Sequence, residues 1–208
     1  MNGVIIDDEH IHELIFQDSV LPYGIKISHE EYLECCAGRT DREGYASIGR
    51  KFSQDLPVDE LLRMKHAMYR EQFPKYKQAY LGVLELIERL VGKFQLALVS
   101  SASRSEIDLI TREFGIDRFF TFTISAEDVR KGKPDPEPYQ KAVERFQVSP
   151  SDCVVIEDSV NGILSAKAAG CFCIAVTNTH EREELGQADL IVDSFAEITD
   201  ELLQSFGK

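Results

Sequence analysis

From Val83 to Val192 the sequence alternates short β-branched runs with segments of helical periodicity, and this rhythm limits the fold more than any other feature of the chain. It predicts helices over residues 83–90, 105–114, 137–146 and 161–169. Strands are predicted over 96–99, 119–124, 153–156, 171–176 and 190–192, with a last helix after them. Strands separated by crossover helices pair in parallel and are covered on both faces, so the expected core is α/β.

Residues 9–80 have a different texture. Ile11, Leu14, Ile15 and Phe16 fall at helical spacing, and looser helical periodicity follows over 28–37, 41–52 and 58–69. Pro22-Tyr23-Gly24, Gly38, Pro57 and Pro74 punctuate these segments. The expected organisation is a small helical unit over 9–80, inserted into a core made of 1–8 and 81–208. The opening MNGVIIDDEH combines an Asn-Gly turn with Val4-Ile5-Ile6 as extended or packed chain, so it looks like the middle of a strand-loop-helix passage.

Composition excludes several classes of function. The 208 residues carry 36 acidic and 23 basic side chains, net −13, with no basic stripe, which argues against nucleic acid as a partner. The longest wholly apolar run, Cys171 to Val176, is far below membrane-spanning length, and no basic segment leads into an apolar one at the start. A cytoplasmic protein that does not engage membranes is expected, as a monomer or weak dimer. The five cysteines lack paired CxxC spacing, and three lie in apolar strand-like runs, so buried core thiols are the expectation.

Ligands of parallel α/β sheets sit at the carboxyl ends of the strands. Here LALV runs into Ser100-Ser101, Lys131-Gly132-Lys133-Pro134 precedes the helix from Glu137, and CVVI runs into Glu157-Asp158-Ser159. A hydroxyl, an ammonium and a carboxylate pair at one sheet edge suit metal-assisted handling of phosphate, because carboxylate oxygens hold a hard cation while hydroxyl and ammonium groups answer the phosphoryl charge. Each part also has a plain reading: Ser100 as a strand end, Lys133 as a surface lysine, Glu157-Asp158 as a helix cap.

Order and spacing add to this. ALVSSAS, KGKPDPEPY and VVIEDSVNGILSAKAAG resemble the second, third and fourth motifs of the haloacid dehalogenase superfamily of phosphohydrolases. The helical insert resembles the cap of its β-phosphoglucomutase-like branch, and the resemblance implies a Rossmann-like parallel sheet. MNGVIIDDE resembles the first motif of that branch from its second position. Aligned so, the nucleophilic aspartate falls one residue before Met1 and the central first strand is missing, from which little or no turnover is expected.

The resemblance implies that Ser100, with Ser101 and the Gly3 backbone, binds a phosphoryl oxygen, and that Lys133 bridges nucleophile and phosphate. Asp158 would ligate Mg²⁺, with Glu157 assisting directly or through water, and Asn2 would offer its main-chain carbonyl. Asn2 stands where phosphatases of the family carry a general-acid aspartate, and an amide cannot donate and recover a proton in that way. His12 resembles a histidine on the first cap helix, although a solvated or hinge histidine is an ordinary alternative. CAGRTDREG resembles a glycine-centred specificity loop, making Arg39, Thr40 and Arg42 candidates for contacting a small phosphorylated metabolite; surface arginines on a helical turn are the plainer reading. Two other readings stay open: a non-catalytic phosphometabolite-binding or interaction protein on this scaffold, and phosphonatase or dehalogenase chemistry. The phosphonatase reading would need a Schiff-base lysine, for which Lys51 is the nearest candidate.

Overall fold

The computed structural model describes residues 1–36 and 39–206. The chain divides into two compact units, one of Met1–Asp7 with Gln78–Lys208 and the other of Asp8–Lys77.

The Asp8–Lys77 unit is helical: α1 (Glu9–Val20), α2 (His29–Cys35), α3 (Asp41–Lys51) and α4 (Val58–Tyr76). Ser28 with Glu31 and Thr40 with Glu43 form reciprocal capping boxes, so local chemistry starts α2 and α3 where the chain must turn. The core of this unit gathers Phe16, Val20, Tyr32, Tyr45, Ile48 and Leu61. Helix α4 corrects the expectation that Pro74 bounds the last helix, since it runs through that proline to Tyr76. Leu61, Lys65, Tyr69 and Phe73 recur every fourth residue on its buried face, and a proline so near the carboxyl end removes only one main-chain hydrogen bond. Ala37 and Gly38, the centre of the expected specificity loop, lie outside the described residues.

The other unit is α/β. It contains α5 (Val83–Leu90), β1 (Ala97–Val99), α6 (Arg104–Glu113), β2 (Phe122–Ile124), α7 (Glu137–Phe146), β3 (Val154–Glu157), α8 (Val160–Ala168), β4 (Phe172–Val176), β5 (Leu190–Val192) and α9 (Asp200–Ser205). The strands pair in parallel, with Ala97 opposite Phe122, Val154 opposite Phe172 and Ile174 opposite Leu190. They form two sheets, β1-β2 and β3-β4-β5, rather than one continuous sheet.

Strand β2 is shorter than the apolar run predicts, because Asp117–Phe119 closes a 3₁₀ turn and pairing begins only where Thr121 N donates to Leu96 O. The opening segment is a turn, with the Met1 carbonyl accepting from the amides of Val4, Ile5 and Ile6. Ile5 and Ile6 are buried, so these two serve as packed chain and not as a strand, while Val4 is half-buried. Among the described residues no helix is long and apolar enough to cross a membrane.

Candidate active site

The site is built at the carboxyl ends of β1, β3 and β4. Ser100 follows β1, and its amide donates to Ile124 O of β2 at 2.9 Å, carrying the ladder one step beyond the strand. Its buried hydroxyl accepts from Ala102 N at 3.1 Å, which pins the turn after β1. Ser101, the next residue, is exposed.

Lys133 links the two sheets. Its ammonium reaches Val99 O at 3.5 Å, at the end of β1, and pairs with Glu157 at the end of β3. Both partners are shielded, with side-chain exposures of 12% and 5%. The loop carrying Lys133 is held by Glu137, whose carboxylate accepts from the amides of Arg130 and Lys131 at 3.0 Å each. Those bonds, with Lys141 nearby, draw the Glu137 carboxyl down to about 2.

Glu157 lies against the start of α8. A Cβ on Gly162 would fall 2.0 Å from Glu157 Oε2, so only glycine leaves room for the carboxylate there. Oε1 takes the Lys133 ammonium and the Tyr139 hydroxyl, while Oε2 takes Asp158 N at 3.2 Å and Ser159 Oγ at 3.1 Å. Burial alone would raise this acid, but the Lys133 charge and hydrogen bond outweigh it and hold the group down at about 2.

Asp158 has the opposite balance. Burial and the adjacent Glu157 charge push its carboxyl above the ordinary carboxylate range, against the pull of a hydrogen bond from Thr179 Oγ1 to Oδ2 at 2.6 Å. Gly3 touches the same carboxylate: it has φ of +75°, and a Cβ there would fall 1.9 Å from Asp158 Oδ2. Asn178 Nδ2 donates to Gly3 O at 2.8 Å, tying the opening turn to the loop after β4. Asn2, Gly3, Ser100, Lys133, Glu157 and Asp158 all belong to this one unit.

An acid pushed up by burial and by its neighbour's charge, inside an oxygen-rich surrounding, is a place where a hard cation fits chemically. Four contributors were not singled out in the sequence: Glu137, Tyr139, Asn178 and Thr179. The last two follow β4 as Ser100 follows β1, so the strand-end rule applied to β4 would have found them. A groove of about 550 Å³ lies elsewhere, lined by Leu81, Arg89, Phe195 and Asp200 among others.

The remaining candidates lie in the helical unit. His12 belongs to a polar cluster in which Lys65, 1% exposed, reaches His12 Nδ1 at 2.9 Å and donates to Asp41 at 2.6 Å. The other ring nitrogen of His12, Nε2, lies 3.1 Å from Asp8 Oδ2. Tyr69 stacks on the His12 ring and donates to the same Asp8 oxygen. Thr40 uses its hydroxyl in the α3 cap, Arg39 is exposed, and Arg42 pairs with Asp59 on the surface. Lys51 is ion-paired with Glu34 at 2.5 Å.

Parallel strands whose carboxyl ends gather a hydroxyl, a shielded ammonium and two acids are the architecture of a phosphohydrolase. The family model described as haloacid dehalogenase-like hydrolase matches residues 1–176, and the chain belongs to that family, in its β-phosphoglucomutase-like branch. It is 31% identical to validoxylamine A 7'-phosphate phosphatase of Streptomyces hygroscopicus subsp. limoneus over 201 residues, covering 95% of this chain and 92% of that protein. It is 29% identical to the phosphorylated carbohydrates phosphatase of Thermotoga maritima, covering 82% and 79%. The crystal structure of CbbY from Rhodobacter sphaeroides in complex with phosphate superposes with a TM-score of 0.87 at 27% identity, covering 98% of this chain and 96% of that one.

Proposed function

We propose that this protein is a Mg²⁺-dependent phosphohydrolase acting on a small phosphorylated metabolite of sugar-phosphate type. One observation carries the reading: Lys133 joins the end of β1, beside Ser100, to the end of β3, beside Asp158. Phosphate-bearing substrates named for the relatives, validoxylamine A 7'-phosphate and phosphorylated carbohydrates, support the substrate class.

In this reading Ser100 donates to a phosphoryl oxygen, and Lys133 supplies the positive charge that answers the charge developing on phosphorus. Glu157 orients Lys133 through their ion pair, with its second oxygen held by Asp158 N and Ser159 Oγ, and it would assist the cation directly or through water. Asp158 and the Asn2 carbonyl would hold the cation, with Thr179 and Gly3 fixing the carboxylate. When bound, Mg²⁺ would neutralise phosphoryl charge as a Lewis acid.

Asn2 favours a second reading, binding without turnover, because its amide cannot cycle a proton. The two are separated by measuring phosphate release from p-nitrophenyl phosphate and a panel of sugar phosphates, with Mg²⁺ and with chelator. Mg²⁺-dependent release that rises about 100-fold or more in Asn2→Asp supports the hydrolase. Mg²⁺-dependent phosphate binding with no release from either form, in a protein whose intact mass shows Met1 as its natural first residue, supports the binding protein.

A further inference from the structure

Two thiols outside the site oppose each other across the β3-β4 ladder. Phe172 N donates to Cys153 O at 3.0 Å, and Val154 pairs with Phe172 in parallel register, so Cys171 stands opposite Cys153 one step earlier. Neighbouring strands lie about 4.8 Å apart, inside the roughly 4.4–6.8 Å Cα separation that a disulfide spans. The two thiols are near enough for Cys153 to help raise Cys171, and the Cys153 thiol itself donates to Ser149 O at 3.8 Å. Both cysteines are free thiols; Cys171 is buried and Cys153 is partly open to solvent.

We propose that Cys153 and Cys171 are a reversible redox pair that closes a disulfide between the starts of β3 and β4 when the protein meets a hydroperoxide. The accessible Cys153 thiolate attacks the peroxide, breaking the O–O bond and leaving a sulfenic acid on Cys153. Cys171 then attacks that sulfur, the S–O bond breaks, and water leaves. For hydrogen peroxide the sum is two thiols and one peroxide giving one disulfide and two waters, with both electrons taken by the peroxide.

Burial pushes Cys171 up to about 11 and also raises Cys153, so little thiolate is present and the pair answers sustained rather than brief oxidation. Cys173 is buried on β4 opposite Val155, with no thiol across from it. The bond would tie together the two strands whose far ends carry Asp158 and Thr179, at the end away from the site.

The test treats the full chain with hydrogen peroxide, alkylates it under denaturing conditions and digests it with trypsin without reductant. Lys167 separates the two cysteines into different peptides. The expected product is one linked pair, two hydrogens lighter than the free peptides, released by dithiothreitol, with fragment ions assigning the bond to Cys171. The same link is expected in Cys173→Ala and not in Cys171→Ala. Complete alkylation of all five cysteines after peroxide, sulfinic acid on Cys153 without a link, or a bond assigned to Cys173 would overturn the proposal.

Discussion

Thr179 Oγ1 donates to Asp158 Oδ2 at 2.6 Å, joining the loop after β4 to the carboxylate at the end of β3. Polar partners that orient a metal-binding carboxylate typically change metal affinity by 10–100-fold when removed. Thr179→Val is therefore expected to weaken Mg²⁺ binding about 10-fold by titration calorimetry, while Thr179→Ser keeps the hydroxyl and stays near the parent. Equal affinity in all three proteins would remove Thr179 from the site.

Lys133→Met leaves the Glu157 carboxylate buried without its counter-charge. Losing one partner of a buried ion pair costs about 3–5 kcal/mol, which urea unfolding at neutral pH in chelator would measure. The pH dependence has a definite sign. Glu157 sits at about 2, below its ordinary 4.5, so its contribution is complete above pH 4.5 and is lost as pH falls from there towards 2. The stranded carboxylate of the variant is relieved by protonation, so the gap between parent and variant narrows on acidification. A gap independent of pH would contradict this.

Gly3 and Gly92 share nearly the same backbone, with φ of +75° and +79°, but only Gly3 faces an obstacle, the Asp158 carboxylate. Each alanine variant carries the left-handed strain of about 1–2 kcal/mol. Gly3→Ala must in addition displace Asp158, so Mg²⁺ binding is expected to be lost there and kept in Gly92→Ala. Equal binding in the two variants would show that Gly3 does not shape the site.

In the helical unit, Lys65 is 1% exposed and answers both Asp41 and His12. Lys65→Met keeps the aliphatic stem and removes the charge. A loss of about 2 kcal/mol is expected in urea unfolding, less than breaking a fully buried pair costs because Asp41 retains some solvent. Unchanged stability would mean that Lys65 contributes only its stem.

Much of this was legible in the sequence. Helices and strands of the α/β unit followed from periodicity, because each element has a single apolar face or a short apolar run to bury. Ser100, Glu157 and Asp158 stood out as candidates because strand ends are where parallel sheets present side chains, and Lys133 because of its place before the helix from Glu137 and its motif resemblance. The division of labour between the two acids was not visible. Neighbours in sequence, Glu157 and Asp158 point to different partners, and that depends on Tyr139, Gly162 and Thr179 from three other segments. The run of α4 through Pro74 was hidden too, because burial of Phe73 overrides a local breaker. Separation of the strands into two sheets reflects pairing between distant segments, which composition does not encode.

The central claim is that Ser100, Lys133 and Asp158 serve one phosphate and one cation. Orthophosphate titrated into the protein by calorimetry, with Mg²⁺ and with chelator, tests it most directly. Binding is expected to require Mg²⁺, to weaken at least 10-fold in Ser100→Ala and Lys133→Ala, and to lose its Mg²⁺ dependence in Asp158→Asn. Phosphate binding that ignores Mg²⁺ and all three substitutions would contradict the account.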